Sequence, residues 1–197
     1  MKKSAVFQAY FERLAHLFKF QDLVDRFEED SVKSDGIPIH LDIIRVNKDA
    51  PTLVFIPGTA VYALCYAELM AKIADTGYNV IGFDPRGHGR SGGKRGDYTI
   101  EELVRDTQAV ITYAIDHFNE EVSVLGSSQG GITAFYLSAV DDRPKSIICQ
   151  NFADLSDSES NQLSRLPLLS KLTKPLYTSI ATFLPQLNVP IAAYINL

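Results

Sequence analysis

The stretch VSVLGSSQGG, residues 122–131, gives the clearest indication of the fold. Its first four residues predict a buried strand, and residues 132–140 predict a helix. Between them, Gly126-Ser127-Ser128-Gln129-Gly130 spells G-x-S-x-G, which is typical of a sharp strand-to-helix turn that exposes its central serine at the C-terminal end of a sheet. The helix N-terminus behind that serine favours negative charge. The pattern therefore makes Ser128 a candidate nucleophile, although a plain small-residue turn is the simpler interpretation.

Strand and helix patterns alternate on both sides of this turn. An antiparallel opening is followed by β-α alternation, which predicts an α/β fold with a mostly parallel sheet and helices on both faces. The predicted strands are 31–34, 37–46, 52–56, 78–83, 122–125 and 145–150. The predicted core helices are 61–76, a helix from Thr99 to about 118, and 132–140, with Thr99 and Glu102 spaced as a capping box.

A second turn follows the predicted strand 52–56. It reads Pro57-Gly58-Thr59-Ala60 and stands where the fold of a G-x-S-x-G protein supplies one backbone N–H to an oxyanion. We predict Thr59 as this donor, with Ala60 as the alternative, and the backbone N–H of Gln129 as the second. One such donor is worth about 3 kcal/mol of barrier, whereas an ordinary β-to-α turn is the simpler interpretation.

A third motif lies in the glycine-rich loop after the strand 78–83. The segment DPRGHGRS, from Asp84 to Ser91, matches D-x-R-G-x-G-x-S in full. With the first two motifs, it makes residues 30–155 resemble the α/β-hydrolase superfamily, in particular its monoglyceride-lipase and serine-aminopeptidase-like branch. The resemblance implies a serine hydrolase that acts on carboxylic esters through an acyl-enzyme, with no metal and no organic cofactor. It also implies a mainly structural role for this loop.

The same loop spells G-x-G-x-x-G from Gly87 to Gly92, a pattern known from dinucleotide sites. Such a site needs a helix that opens directly after the strand. Pro85 precedes the pattern here, and Gly93 and Gly96 follow it, so a helix is not expected. We therefore reject a dinucleotide site.

The acid and the histidine that would activate Ser128 are not found in this chain. In the family that it resembles, both follow the serine in sequence. The four histidines, all before Ser128, are His16, His40, His88 and His117. His88 is a weak candidate for the base and Asp154 for the acid, and each is more simply a loop residue.

The resemblance implies that the last core strands are missing, so that the chain is an incomplete form of the enzyme. We expect the chain to be one fragment of a longer polypeptide, with the rest carried by a second polypeptide or lost. Three alternatives remain open: a prematurely ended product, an unusual base, and a catalytically dead hydrolase fold that serves as a binding or scaffold protein.

The flanking segments suggest two further parts around a core of residues 28–155. Residues 1–27 predict an amphipathic helix, which either packs on the core or binds a membrane surface or a partner. Residues 156–197 resemble the start of the family's cap, and their apolar positions imply a substrate with a hydrophobic acyl group. Those apolar positions are Leu166, Leu168, Leu169, Leu176 and Leu184.

Composition sets broader limits. The net charge of −5 gives no general attraction to nucleic acid. The two cysteines, Cys65 and Cys149, form neither a metal-ligand pattern nor a disulfide framework. The cysteines therefore favour a cytoplasmic protein, and the family resemblance implies that it acts on a small-molecule ester or lipid. A peptide or a thioester remains open as the substrate.

Overall fold

The computed structural model describes Glu12, Arg13, His16, Leu17 and residues 20–152. In this part of the chain six strands form one sheet in the order β1-β2-β4-β3-β5-β6. The strands are β1 Glu28–Ser34, β2 Ile37–Ile44, β3 Thr52–Ile56, β4 Asn79–Asp84, β5 Val122–Ser127 and β6 Ser146–Gln150. β2 pairs antiparallel with β1 and β4, and the other three pairings are parallel. The predicted fold class is confirmed.

Helices cover both faces of this sheet because its central strand is apolar on both sides. Val54 and Ile56 of β3 belong to a core that also contains residues of α2 (Ile100–His117) and α3 (Gln129–Leu137). Leu53 and Phe55 point to the other face and belong to a core with residues of α1 (Ala67–Asp75). Side chains alternate between the faces of a strand, so a strand covered on both faces is apolar throughout. The carboxyl ends of β3 and β5 thereby meet at one edge, where the candidate site lies.

The helix after the G-x-S-x-G turn begins earlier than predicted. α3 starts at Gln129 rather than at residue 132, directly after Ser128. Gly130 and Gly131 have low helix propensity and favour a turn when they are considered alone. Both are glycine here because the start of the helix is closely packed: a Cβ on Gly130 would lie 2.2 Å from the carbonyl oxygen of Ile56, and one on Gly131 would lie 2.8 Å from Phe152 Cβ.

The N-terminal segment also differs from the prediction of one amphipathic helix. Glu12, Arg13, His16 and Leu17 are helical, whereas Gln21–Arg26 forms a 3₁₀ helix. The tighter winding suits the three-residue spacing of Phe20 and Leu23, which both pack in the cluster around Tyr62. Within the described residues, no helix combines the length and the apolar character that a membrane span requires.

Two predicted features lie outside the described residues. One is Asp154, and the other is the predicted cap segment 156–197.

Candidate active site

Ser128 stands at the sharp turn between β5 and α3, in a backbone conformation that is rare for any residue with a side chain. Its φ is 56° and its ψ is −118°, and its side chain is exposed. Its N–H donates to the carbonyl oxygen of Gln150, at the end of β6, over 2.9 Å. Such a conformation carries about 1–3 kcal/mol of strain and persists only where the surroundings hold it in place. The turn therefore presents the Ser128 hydroxyl to solvent at the carboxyl end of the sheet.

The two glycines of the motif make this turn possible by their lack of a side chain. A Cβ on Gly126 would lie 2.0 Å from the carbonyl oxygen of Gly130. A Cβ on Gly130 would lie 2.2 Å from the carbonyl oxygen of Ile56 and 2.7 Å from that of Pro57. In both cases the obstacle is backbone, which cannot move aside as a flexible side chain can. The start of α3 thus packs directly on the end of β3.

The same packing brings the turn 57–60 against Ser128. A Cβ on Gly58 would lie 3.2 Å from Ser128 Cβ and 3.4 Å from the hydroxyl of Tyr66. Thr59, the next residue, is exposed. Gln129 is the first residue of α3, so its N–H has no acceptor within the helix. The structure therefore brings together Ser128 and both segments that carry the predicted backbone donors.

His88 is held in a chain of polar contacts that leads to Gln129. Its Nδ1 lies 3.0 Å from the carbonyl oxygen of Arg86, so Nδ1 donates and Nε2 is left to accept. The Tyr98 hydroxyl lies 3.4 Å from His88 Nε2 and 3.4 Å from the amide of Gln129. Burial lowers the pKa of His88, which favours the neutral ring. Among the described residues, no histidine is hydrogen-bonded to the Ser128 hydroxyl.

Sequence reasoning did not identify Tyr98, because a contact across 31 residues leaves no local signal. Two other described histidines, His117 and His40, are engaged away from Ser128. His117 donates to the Tyr113 carbonyl and stacks on the Tyr113 ring at 4.0 Å between centroids. His40 lies 3.2 Å from Asp42 Oδ1 and 3.0 Å from the Arg90 guanidinium.

The cluster around His40 has the composition of a metal site but contains its own cation. Ligand atoms of Glu29, His40 and Asp42 lie within 4.8 Å of one another. The Arg90 guanidinium contacts Glu29 and lies 3.0 Å from His40 Nε2 and 3.6 Å from Asp42 Oδ1. A positive charge already stands among these groups, so we interpret the cluster as an ion-pair network.

The motif 84–91 is fixed to the rest of the fold by a buried arginine. The Arg86 guanidinium lies 2.7 Å from Asp106, 2.8 Å from Glu102 and 3.0 Å from Asp35. Hydrogen bonding to Asp106, the largest effect, raises the pKa of Arg86 further above its usual value. The contacts join the loop to α2 and to the β1–β2 hairpin, in keeping with the structural role that the resemblance implied.

Comparisons with known proteins agree with this arrangement. Residues 47–189 match the model of the serine aminopeptidase S33 family. The chain is 32% identical over 158 residues to a 31.7 kDa protein of the traX–finO intergenic region of Escherichia coli, covering 74% of this chain and 54% of that protein. It is 32% identical over 117 residues to a monoacylglycerol lipase of Mycolicibacterium smegmatis, covering 58% of this chain and 42% of the lipase.

A solved structure shows the same fold. The Pyrococcus furiosus esterase Pf2001 is 19% identical and superposes with a TM-score of 0.62, over 92% of this chain and 68% of the esterase. The chain spans about half the length of the curated relatives it matches. The extent of the family match, together with the strand-turn-helix geometry at Ser128, shows that the chain belongs to the serine aminopeptidase S33 family of α/β-hydrolase-fold proteins.

Proposed function

We propose that this protein takes part in the hydrolysis of carboxylic esters, with Ser128 as the nucleophile of an acyl-enzyme mechanism. The main support is the strained, exposed position of Ser128 between β5 and α3. Strain of this kind is concentrated at functional sites, because elsewhere it lowers stability without benefit. A turn without chemistry would be satisfied by glycine at position 128.

The mechanism follows from the groups around that position. The Ser128 Oγ attacks the ester carbonyl while a base takes its proton, and the carbonyl oxygen becomes an oxyanion. The N–H groups of Thr59 and Gln129 bind this oxyanion, and Ala60 is the alternative to Thr59 as a donor. Collapse of the tetrahedral intermediate expels the alcohol, which takes the proton from the base. Water then attacks the acyl-enzyme by the same route and releases the acid.

We further propose that the base is a histidine outside residues 1–197, with its acid partner, carried either by a continuation of this chain or by a second polypeptide. Every histidine in this sequence precedes Ser128, and both ring nitrogens of His88 are engaged by Arg86 and Tyr98. A neutral, buried His88 suits a structural acceptor better than a proton shuttle. Asp154 stays a candidate for the acid.

The substrate that we propose is an ester with a hydrophobic acyl group. Two relatives support this class, since one is named as a monoacylglycerol lipase and the other as an esterase. The apolar residues predicted for the cap fit the same class.

The test is intact-protein mass spectrometry of the protein isolated under native conditions, before and after treatment with a fluorophosphonate. We expect one adduct per chain, and none after Ser128→Ala, because only an activated serine reacts at a useful rate. Ser127→Ala is the matched control. Ser127 is the neighbouring serine and is only 6% exposed, so its loss should leave the adduct in place.

The same spectra test the second polypeptide. We expect a co-purifying chain that contains a histidine, and its removal should slow labelling. A folded native preparation that forms no adduct would exclude an active serine hydrolase. It would favour the other candidate function, a binding or scaffold protein on a hydrolase fold, in keeping with the lack of a hydrogen bond from any described histidine to Ser128.

A further inference from the structure

Asp84, the last residue of β4, is a fully buried carboxylate that binds backbone from two different loops. Its Oδ1 accepts a hydrogen bond from the N–H of Ala63 over 2.9 Å. Its Oδ2 accepts one from the N–H of Arg90 over 2.8 Å. One side chain therefore joins the segment after β3 to the loop after β4.

The Ala63 contact fixes the far end of the turn that approaches Ser128. The near end of this turn is set by β3, where Ile56 pairs with Gly126 in the parallel register of β3 and β5. Ala63 begins the 3₁₀ helix Ala63–Tyr66, so the carboxylate binds the chain where it leaves the turn. The segment 57–62 is thus anchored at both ends, with Gly58 against Ser128 between them.

The loop after β4 is shaped to leave room for this carboxylate. Gly89 has a φ of +46°, and a Cβ there would lie 2.1 Å from Asp84 Oδ2 and 2.8 Å from Tyr62 Cβ. Any larger residue at position 89 would displace the carboxylate or the end of the turn. The motif D-x-R-G-x-G-x-S therefore places its aspartate, Asp84, in direct contact with its second glycine, Gly89.

A buried carboxylate is unfavourable for the stability of the fold unless its partners compensate for the loss of hydration. Burial, and to a lesser extent the negative charge of Asp42, together raise the pKa of Asp84 to about 6. A group kept at such a position is better explained by the conformation that it imposes than by the stability that it provides.

We propose that Asp84 is a positioning residue that fixes the turn 57–60 beside Ser128 through its hydrogen bond to Ala63. The proposal rests on the proposed function, in which the Thr59 N–H of this turn binds the oxyanion. Asp84 acts through the backbone and does not touch the substrate.

The first test is NMR spectroscopy of the full chain, comparing Asp84→Asn with Asp106→Asn. An asparagine at position 84 has one oxygen and can accept from only one of the two N–H groups. In Asp84→Asn we expect the amide signals of Gly58 and Thr59 to be shifted from their wild-type positions. We also expect the amide hydrogen of Ala63 to exchange about tenfold faster than in the wild type, the usual effect of one lost hydrogen bond. Asp106 is buried and binds Arg86 but does not contact the turn, so Asp106→Asn should leave these three signals in place.

A titration of the unmodified chain provides a test that does not depend on a variant folding. The groups that face Asp84 are Asp42 and His40 on β2, Arg90 in its loop, and Cys65 in the 3₁₀ helix. We expect the amide NMR signals of Gly58 and Thr59 to change with pH, and their midpoint to equal that of the Asp84 carboxyl carbon signal. A midpoint that differs from that of the Asp84 carboxyl carbon would overturn the proposal.

Labelling with the fluorophosphonate separates this proposal from the proposed function. If both hold, Asp84→Asn lowers the labelling rate and Asp106→Asn does not. A wild-type protein that is never labelled would contradict the proposed function alone, while the NMR signals would still decide whether Asp84 positions the turn. Unchanged Gly58 and Thr59 signals in Asp84→Asn would overturn the positioning role.

Discussion

The hairpin turn at Asp35 and the turn at Ser128 each place a residue with a side chain at positive φ, and they do so for different reasons. At the tip of the β1–β2 hairpin, Asp35 has a φ of 50° and Gly36 a φ of 78°, and a Cβ on Gly36 would meet nothing within 4 Å. At the G-x-S-x-G turn, Ser128 has a φ of 56°, and the glycines beside it are enclosed by backbone. The hairpin requires only residues that can adopt positive φ. The turn at Ser128 requires positive φ and, in addition, neighbouring residues that have no side chain. The first is therefore a local property of its sequence, and the second is imposed by packing.

The largest expected effect separates these two requirements. Gly130→Ala should destabilise the fold by more than about 3 kcal/mol, because its Cβ would collide with the carbonyl oxygens of Ile56 and Pro57. Gly36→Ala should destabilise by only about 1–2 kcal/mol, the strain of one residue at positive φ. Denaturant unfolding of both variants gives the comparison, and equal losses would mean that backbone contact at Gly130 has no special importance.

Gly58→Ala should impair the site more than the fold. Its methyl group would lie 3.2 Å from Ser128 Cβ, which is a tight contact that small shifts relieve. Because such shifts move the turn relative to the nucleophile, we expect a fluorophosphonate labelling rate about tenfold lower. The midpoint of denaturant unfolding should change little. An unchanged labelling rate together with a large loss of stability would contradict this.

Ser128→Gly should stabilise the protein while it removes the labelled group. Glycine adopts positive φ without the steric penalty of a side chain, so relief of the strain should add about 1 kcal/mol to the free energy of unfolding. Ser128→Ala, which keeps a Cβ, is the matched control and should not show this gain. A decrease in stability for Ser128→Gly would show that Ser128 is not strained.

Two aspartates, Asp35 at the hairpin tip and Asp84 at the end of β4, should respond to pH in opposite directions. Hydrogen bonds from Arg105 and Arg86 lower the pKa of Asp35 below its usual value, so its contribution to stability is present above about pH 4 and lost as the pH falls further. Burial raises the pKa of Asp84 to about 6, so its charge lowers stability as the pH rises from about 4 to 6.

Unfolding free energies of Asp35→Asn and Asp84→Asn, each compared with wild type across pH 3–7, measure these contributions. The difference between wild type and Asp84→Asn should change by no more than about 1.4 kcal/mol per pH unit, the limit for one proton. As the pH rises, the wild type should lose stability relative to Asp84→Asn. A change of the same sign for both variants would contradict the assignment.

Features decided by local sequence were the most predictable. Residues 52–56 form β3 with the predicted bounds, and the Thr99–Glu102 capping box is present. The predicted start of α3 was wrong because Gly130 favours a turn when the sequence is considered alone. The contact with the Ile56 backbone, which requires glycine at position 130, is formed only in the folded protein. At the site, the segments of Thr59, Ser128 and Gln129 could be predicted from motifs. The contact of Tyr98 with His88 and Gln129, and the reach of Asp84 to Ala63, depend on residues brought together only by the fold.

One hydrogen bond described above determines which sequence changes this turn can tolerate. The N–H of Ser128 donates to the carbonyl oxygen of Gln150, and both groups belong to the main chain. Substitution of the Gln150 side chain leaves the acceptor unchanged, so the bond is insensitive to the identity of that residue. Insertion or deletion of one residue within β6 before Gln150 moves a different carbonyl opposite Ser128 and reverses the two faces of the strand. The length of β6 before Gln150 is therefore more strictly constrained than the identity of residue 150.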